Sequence, residues 1–195
     1  MITSAPVSRF QRMQVSARSF FSLTRASWRE TLVLMAVAWL VPFLVHLIPW
    51  SGPRPLGVHL LPAFWTAFLA VYLYGAGVGV LVALVVPAVN ALTTGLPVSE
   101  RVLAMSVELA AYVAVAAFAV RRWPSLRAAA PLAWLPAYAL VLAVQWFVPS
   151  FGPQRNPLEH FAATLGQVWP GLVVLLVLNV ALVHLLPKDA DWESE

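Results

Sequence analysis

The chain has no cysteine among its 195 residues, and charged residues make up only 10% of it. The missing cysteines exclude disulfides and thiolate metal sites and leave the redox compartment unread. The shortage of charge says more, because soluble domains carry roughly 25% Asp, Glu, Lys and Arg. In place of charge stand hydrophobic residues, 61% of the chain, which points to a membrane protein. Several catalytic signatures are missing as well. No G-x-x-x-x-G-K-[ST] phosphate loop is present, so nothing in the chain encodes nucleotide hydrolysis. No H-E-x-x-H places two zinc ligands on one helix face, and the four histidines are scattered at 46, 59, 160 and 184. No G-x-S-x-G or equivalent surrounds a serine nucleophile. The net charge of +4 does not mark a nucleic-acid partner, because the arginines sit at the ends of apolar segments rather than on one polar face.

What is there is a series of continuous apolar runs. A spanning helix needs about 20 mostly apolar residues, and six segments qualify: Leu32–Pro49, His59–Tyr74, Ala76–Leu92, Val102–Val120, Pro131–Val148 and Phe161–Leu186. Pro/Gly punctuators and the few charges separate them, among them "WSGPRPLG", "YGAG", "TTGLPVSE", "RRWPSLR" and "SFGPQRNPLEH". Continuous rather than alternating hydrophobicity argues against strands. The expectation is an all-α membrane protein with six transmembrane helices in one domain over residues 31–187. A basic arm (1–30) precedes it and an acidic tail (188–195) follows.

The arm carries Arg9, Arg12, Arg18, Arg25 and Arg29 with no acid before Glu30. Arg121, Arg122, Arg127 and Lys188 fall on the same side of the predicted topology; only Arg54, Arg101 and Arg155 fall on the other. The bias of basic residues toward cytoplasmic loops then places both termini in the cytoplasm. The arm reads as a surface segment that meets anionic membrane lipid, although its Arg/Ser-rich, acid-free composition also fits a transit peptide.

This orientation gives the polar residues a depth. His59, Trp65, Asn90, Glu108, Tyr112, Gln145, Trp146, Gln167 and Trp169 all fall in the outer halves of five helices. Polar side chains in lipid are costly and turn toward a bundle interior or a wet cavity. An apolar, aromatic wall with a few placed polar groups is the composition of a small-molecule site. Each residue also has a plain structural explanation. The tryptophans suit the membrane interface, the amides suit interhelical bonds, and Glu108 is two turns from Arg101 on one face, in reach of an ion pair.

The stretch His59–Tyr112 resembles the membrane-embedded substrate-binding S component of energy-coupling-factor (ECF) vitamin transporters, and most of all the branch containing pantothenate-type S components. The residues that carry the resemblance are His59 and Pro62, the turn glycines Gly75, Gly77 and Gly79, a proline-bearing helix closed by "LTTGLP", and an M-x-x-E-L-A-x-Y element. That element is Met105, Glu108, Leu109, Ala110 and Tyr112, and Trp169-Pro170-Gly171 completes the pattern in the last helix. The first helix departs from it: Ala36 and Ala38 form no small-xxx-small pair. The resemblance implies a bacterial plasma-membrane protein, not itself an enzyme and without a cofactor or metal, that binds a scarce vitamin or related nutrient from outside. Its implied partners are a membrane coupling subunit and two cytoplasmic ATPases on separate chains. Glu108 then accepts hydrogen bonds from the ligand, and Tyr112 walls the pocket. An anionic ligand such as pantothenate is repelled by an ionised Glu108, so it requires Glu108 to be neutral, paired with Arg101 or structural.

Two other classes stay open at this point. A six-span cell-envelope scaffold accounts for hydrophobicity and topology but not for the polar clustering. A membrane hydrolase built on Glu108 and His59 is the enzymatic alternative. The "GAGVGV" stretch at Gly75–Val80 follows no strand, so it reads as a tight turn with close helix packing rather than a nucleotide loop. The topology has a direct test, made simple by the absence of native cysteine. Cysteines added at the N-terminus and at Ser125 should resist an impermeant thiol reagent in intact cells, and one at Ser51 should react. Labelling at Ser125 from outside overturns the orientation.

Overall fold

The computed structural model describes residues 28–52, 54–148 and 156–186, and the basic arm before residue 28 and the acidic tail lie outside the described residues. The described chain is helical, with no strand. In order the helices are α1 (Trp28–Leu47), α2 (Leu56–Leu60), α3 (Pro62–Tyr74), α4 (Ala76–Thr94), α5 (Ser99–Arg122), α6 (Ala129–Phe147) and α7 (Pro157–Leu185). Five spans are long and apolar enough to cross a membrane, counting α2 and α3 together as Leu56–Tyr74, and α1 contributes a shorter apolar helix. The chain is a multi-pass helical membrane protein. Helix α7, at 29 residues, is about 43 Å long at 1.5 Å per residue and outreaches the hydrocarbon layer of about 30 Å.

The second span is not continuous as the sequence suggested. It breaks at Leu61, whose φ of 55° lies in the left-handed region. Such a conformation costs a non-glycine residue roughly 1–2 kcal/mol, and its neighbours explain why the chain accepts it. Pro62 opens α3 at a position where its missing N–H costs nothing, and it disfavours a right-handed helical residue before it. Leu61 N–H still closes α2 on Gly57 O at 3.1 Å, while Phe64 N–H donates to Leu61 O at 2.9 Å. The break turns α2 out of the line of α3 without leaving these amides unpaired.

Helix α3 is the hub. It packs on α1, α4, α5 and α7, while neighbouring contacts run α1–α4, α4–α5, α5–α6 and α6–α7 around it. Short α2 lies against α7 and also touches α1. Small residues let the hub be crowded: Ala63, Ala67 and Ala70 are buried on it beside Phe64, Phe68 and Tyr72. Gly79 serves the same purpose on α4, since a Cβ there would lie 2.6 Å from Val71 and 3.0 Å from Val113. Gly75, at φ 84°, makes the turn between α3 and α4. Both roles match what the glycine-rich stretch suggested.

The C-terminal ends of α1, α4 and α6 and the N-terminal ends of α2, α5 and α7 share one end of the bundle, which we call the Arg54 end. The opposite end is tied by polar contacts to backbone. Asn179 is fully buried; its Oδ1 accepts from Ala130 N–H at 2.8 Å and its Nδ2 donates to Leu126 O at 3.0 Å, closing the start of α6. Tyr72 donates its hydroxyl to Leu186 O at 2.8 Å.

At Gly171 on α7 a glycine faces the backbone of another element rather than a side chain. A Cβ there would sit 2.7 Å from the Leu60 carbonyl group and 2.8 Å from His59 O, both backbone and unable to give way. Gly171→Ala should therefore lower the melting temperature of the purified protein, with a cost of about 1–3 kcal/mol from overpacking. Gly166→Ala, on the same helix with nothing within 4 Å, should be neutral or slightly stabilising. Equal melting of the two variants contradicts the assigned contact.

Candidate ligand-binding site

Three helix stripes and one loop residue converge at the Arg54 end. On α5, Glu108 and Tyr112 are one turn apart; on α6, Trp134 and Tyr138 are likewise one turn apart. On α7, Thr164 and Gln167 follow Phe161 along one face. Their depths agree. Glu108 is nine residues from Ser99, and Tyr138 nine from Phe147, each roughly 13–14 Å into the bundle by helical rise.

The geometry is aromatic at the centre and polar around it. Trp134 and Tyr138 stack at 4.8 Å between centroids with 11° between planes, and Phe161 closes on Tyr138 at 5.9 Å. Tyr112 meets Phe64 edge-on at 5.1 Å. The Tyr138 hydroxyl is 2.8 Å from Thr164 Oγ1, linking α6 to α7. The partly buried Glu108 carboxyl faces the Trp134 indole, yet Trp134 Nε1 is buried without a hydrogen-bond partner of good geometry. Tyr138 lies within the electrostatic reach of both Glu108 and Arg54. Arg54 donates from its guanidinium to Gln167 Oε1.

Gln167 is the junction. Its side chain accepts from Arg54 and its backbone carbonyl is 2.9 Å from His59 Nδ1. A carbonyl only accepts, so Nδ1 carries the proton. The other ring nitrogen, Nε2, is buried with no partner. Trp50 packs on the same imidazole at 5.9 Å. The Tyr112 hydroxyl is also buried without a partner. Leaving such a group unmet costs about 1–3 kcal/mol, which is a reason to expect these atoms to meet something other than protein.

The residues singled out from the sequence divide accordingly. Glu108, His59, Tyr112 and Gln167 belong to this group. Trp146 and Trp169 are 62% and 60% exposed on the outside of the bundle, so they face its surroundings rather than its interior. Asn90 is buried with Oδ1 unpartnered, but it is on α4, which packs on α1, α3 and α5. Trp65 is partly buried on α3, and its Nε1 has no partner. Gln145 is partly buried near the end of α6. Arg101 is exposed, whereas what the Glu108 carboxyl meets is Trp134; the suggested ion pair is not the contact observed. Five members escaped the sequence reading: Arg54, Trp134, Tyr138, Phe161 and Thr164. A usable signal existed on α6, where Trp134, Tyr138, Val141 and Gln145 recur at helical spacing.

A cavity of about 670 Å3 opens beside this group, between the end of α1, the 48–56 segment and the end of α4. Phe43, His46, Trp50, Arg54, Thr93 and Thr94 are among its lining residues. None of the residues singled out from the sequence lines it, but two of its lining residues touch them: Trp50 packs on His59 and Arg54 bonds Gln167. Among the described residues no group of three or more His, Cys, Asp or Glu side chains is arranged to hold a metal ion. No protein-family model, curated protein or solved structure matches the chain.

Proposed function

We propose that the chain is the substrate-binding membrane subunit of an ECF-type importer, which captures a small water-soluble nutrient at the Arg54 end of the bundle. One observation carries this reading. Helices α5, α6 and α7 bring Glu108, the Trp134–Tyr138 stack and the Tyr138–Thr164 hydroxyl pair into one cluster, with the Tyr112 hydroxyl and His59 Nε2 buried and unpartnered near it. A scaffold needs its buried polar groups satisfied within the protein; a binding subunit needs some of them free for its ligand. The quoted likeness of His59–Tyr112 to S components supports the same conclusion. So does the bias of basic residues, which puts the Arg54 end outside and both termini in the cytoplasm.

On this reading the ligand enters from outside, displaces water from Glu108 and the free donors, and packs against the aromatic rings. The energy for uptake comes from two ATPases acting through a membrane coupling subunit, as the resemblance implies. In liposomes loaded with a pooled set of radiolabelled water-soluble vitamins outside, the purified chain alone should accumulate none. With coupling subunit, ATPases and ATP it should concentrate one of them. Ion-driven accumulation by the chain alone marks a secondary transporter instead, and chemical turnover without ATPases marks an enzyme.

A further inference from the structure

The cavity at the Arg54 end has a wall of two kinds. Phe43, Leu47, Ile48 and Leu56 make much of it apolar, and Arg54 is the arginine on it. Its other polar groups are committed to the protein. Thr93 Oγ1 accepts from Trp39 Nε1 at 3.2 Å and donates to Val89 O at 2.9 Å. Thr94 Oγ1 donates to Asn90 O at 2.8 Å and accepts from Leu96 N–H at 3.2 Å. His46 Nδ1 donates to Pro42 O at 2.6 Å, and its ring lies against Gly57, where a Cβ would be 3.1 Å away. Arg54 gives a bond to Gln167, and a guanidinium has further N–H donors to offer. No carboxylate is among the described lining residues; residues 31–99 contain no Asp or Glu, and Arg54 is their only Lys or Arg.

The surface around the cavity indicates what covers it. Leu40, Leu44 and Leu47 recur at helical spacing along α1 and are 42%, 50% and 62% exposed. On a helix in a membrane such a stripe faces acyl chains, which are as apolar as leucine. The stripe runs into the cavity, because Leu47 belongs to both, and exposed Ile48 and Trp50 continue it toward Arg54. Arg54 is itself exposed, so its charge alone holds a soluble anion weakly, and such an ion leaves the apolar wall in water. A purely apolar molecule leaves the guanidinium unused. A lipid with an anionic head satisfies both parts. Its phosphate matches the planar fork of the guanidinium, and methylenes buried on the wall supply the rest of the affinity. We propose that this cavity binds an anionic phospholipid, with the phosphate on Arg54 and an acyl chain along the Leu40–Leu44–Leu47 stripe. The assignment does not depend on the importer reading. It makes Arg54 a headgroup-selecting residue rather than only a marker of orientation.

Native mass spectrometry tests this on the purified full-length protein, released from nanodiscs of equal parts phosphatidylglycerol and phosphatidylcholine. The wild type should retain one phosphatidylglycerol per chain, in about tenfold or greater preference over phosphatidylcholine. Arg54→Gln should abolish the preference. Arg101→Gln, which removes an exposed arginine in the first turn of α5 that does not line the cavity, should leave it unchanged. Ile48→Asn keeps Arg54 and makes the wall polar, so it should lower retention of the lipid severalfold; it reads the site independently if Arg54→Gln disturbs the fold. Adding sn-glycerol 3-phosphate, the head without the chains, should displace nothing. Retention without a preference for phosphatidylglycerol, a preference that survives Arg54→Gln, equal loss in Arg101→Gln, or full retention in Ile48→Asn overturns the assignment. So does displacement by glycerol phosphate, which makes the occupant a soluble anion.

Discussion

Gly171 has no side chain, and α7 uses that gap to rest directly on the backbone carbonyls of His59 and Leu60. The arrangement at the Arg54 end depends on this contact. It brings α2 against α7, so His59 reaches Gln167 O and Arg54 reaches the Gln167 side chain. The contact is usable only because the second span breaks at Leu61, which frees α2 from the axis of α3. A strained residue, a proline and a glycine thus act together to carry polar groups from the loop to a place where helices α5, α6 and α7 present theirs. In a membrane, where apolar side chains gain little from packing on each other rather than on lipid, such close backbone approaches are a main source of helix association.

The two ends of the bundle treat polar groups differently. Asn179 bonds with both its amide atoms to the backbone at the far end, and Tyr72 bonds a carbonyl there. Toward the Arg54 end His59 Nε2, the Trp65 indole N–H and the Asn90 carbonyl oxygen stay unmet within the protein, and so does the Tyr112 hydroxyl deeper in the bundle. The contrast separates polar residues that hold the fold from those that a ligand can engage.

Much of the fold was legible in the sequence because a membrane span announces itself by uninterrupted hydrophobicity. The six segments were found with ends a few residues off; α5, for instance, runs from Ser99 to Arg122 and includes flanking charges that hydropathy excludes. The break at Leu61 was not legible, since "HLLPAF" stays apolar through it. The site was legible only in part, and for a related reason. A carboxylate or an amide within an apolar run stands out, so Glu108 and Gln167 were found. Aromatic residues do not, because lipid and bundle interior are equally apolar and hydrophobicity does not say which one a ring faces. Trp146 and Trp169 face outward, while Trp134 and Tyr138 face inward. Arg54 was counted for its charge and not placed, because a loop residue's position depends on the Leu61 break.

The central claim is that Glu108 is present to complete a binding site and not to hold the bundle together. The most direct measurement compares wild type with Glu108→Gln, both purified from cells grown in rich medium. Native mass spectrometry reads the small molecule each retains, and melting temperature reads the fold. The account predicts a bound water-soluble molecule on the wild type, its loss from Glu108→Gln, and no fall in melting temperature. Full retention of that molecule together with a lowered melting temperature contradicts it and makes Glu108 a structural residue.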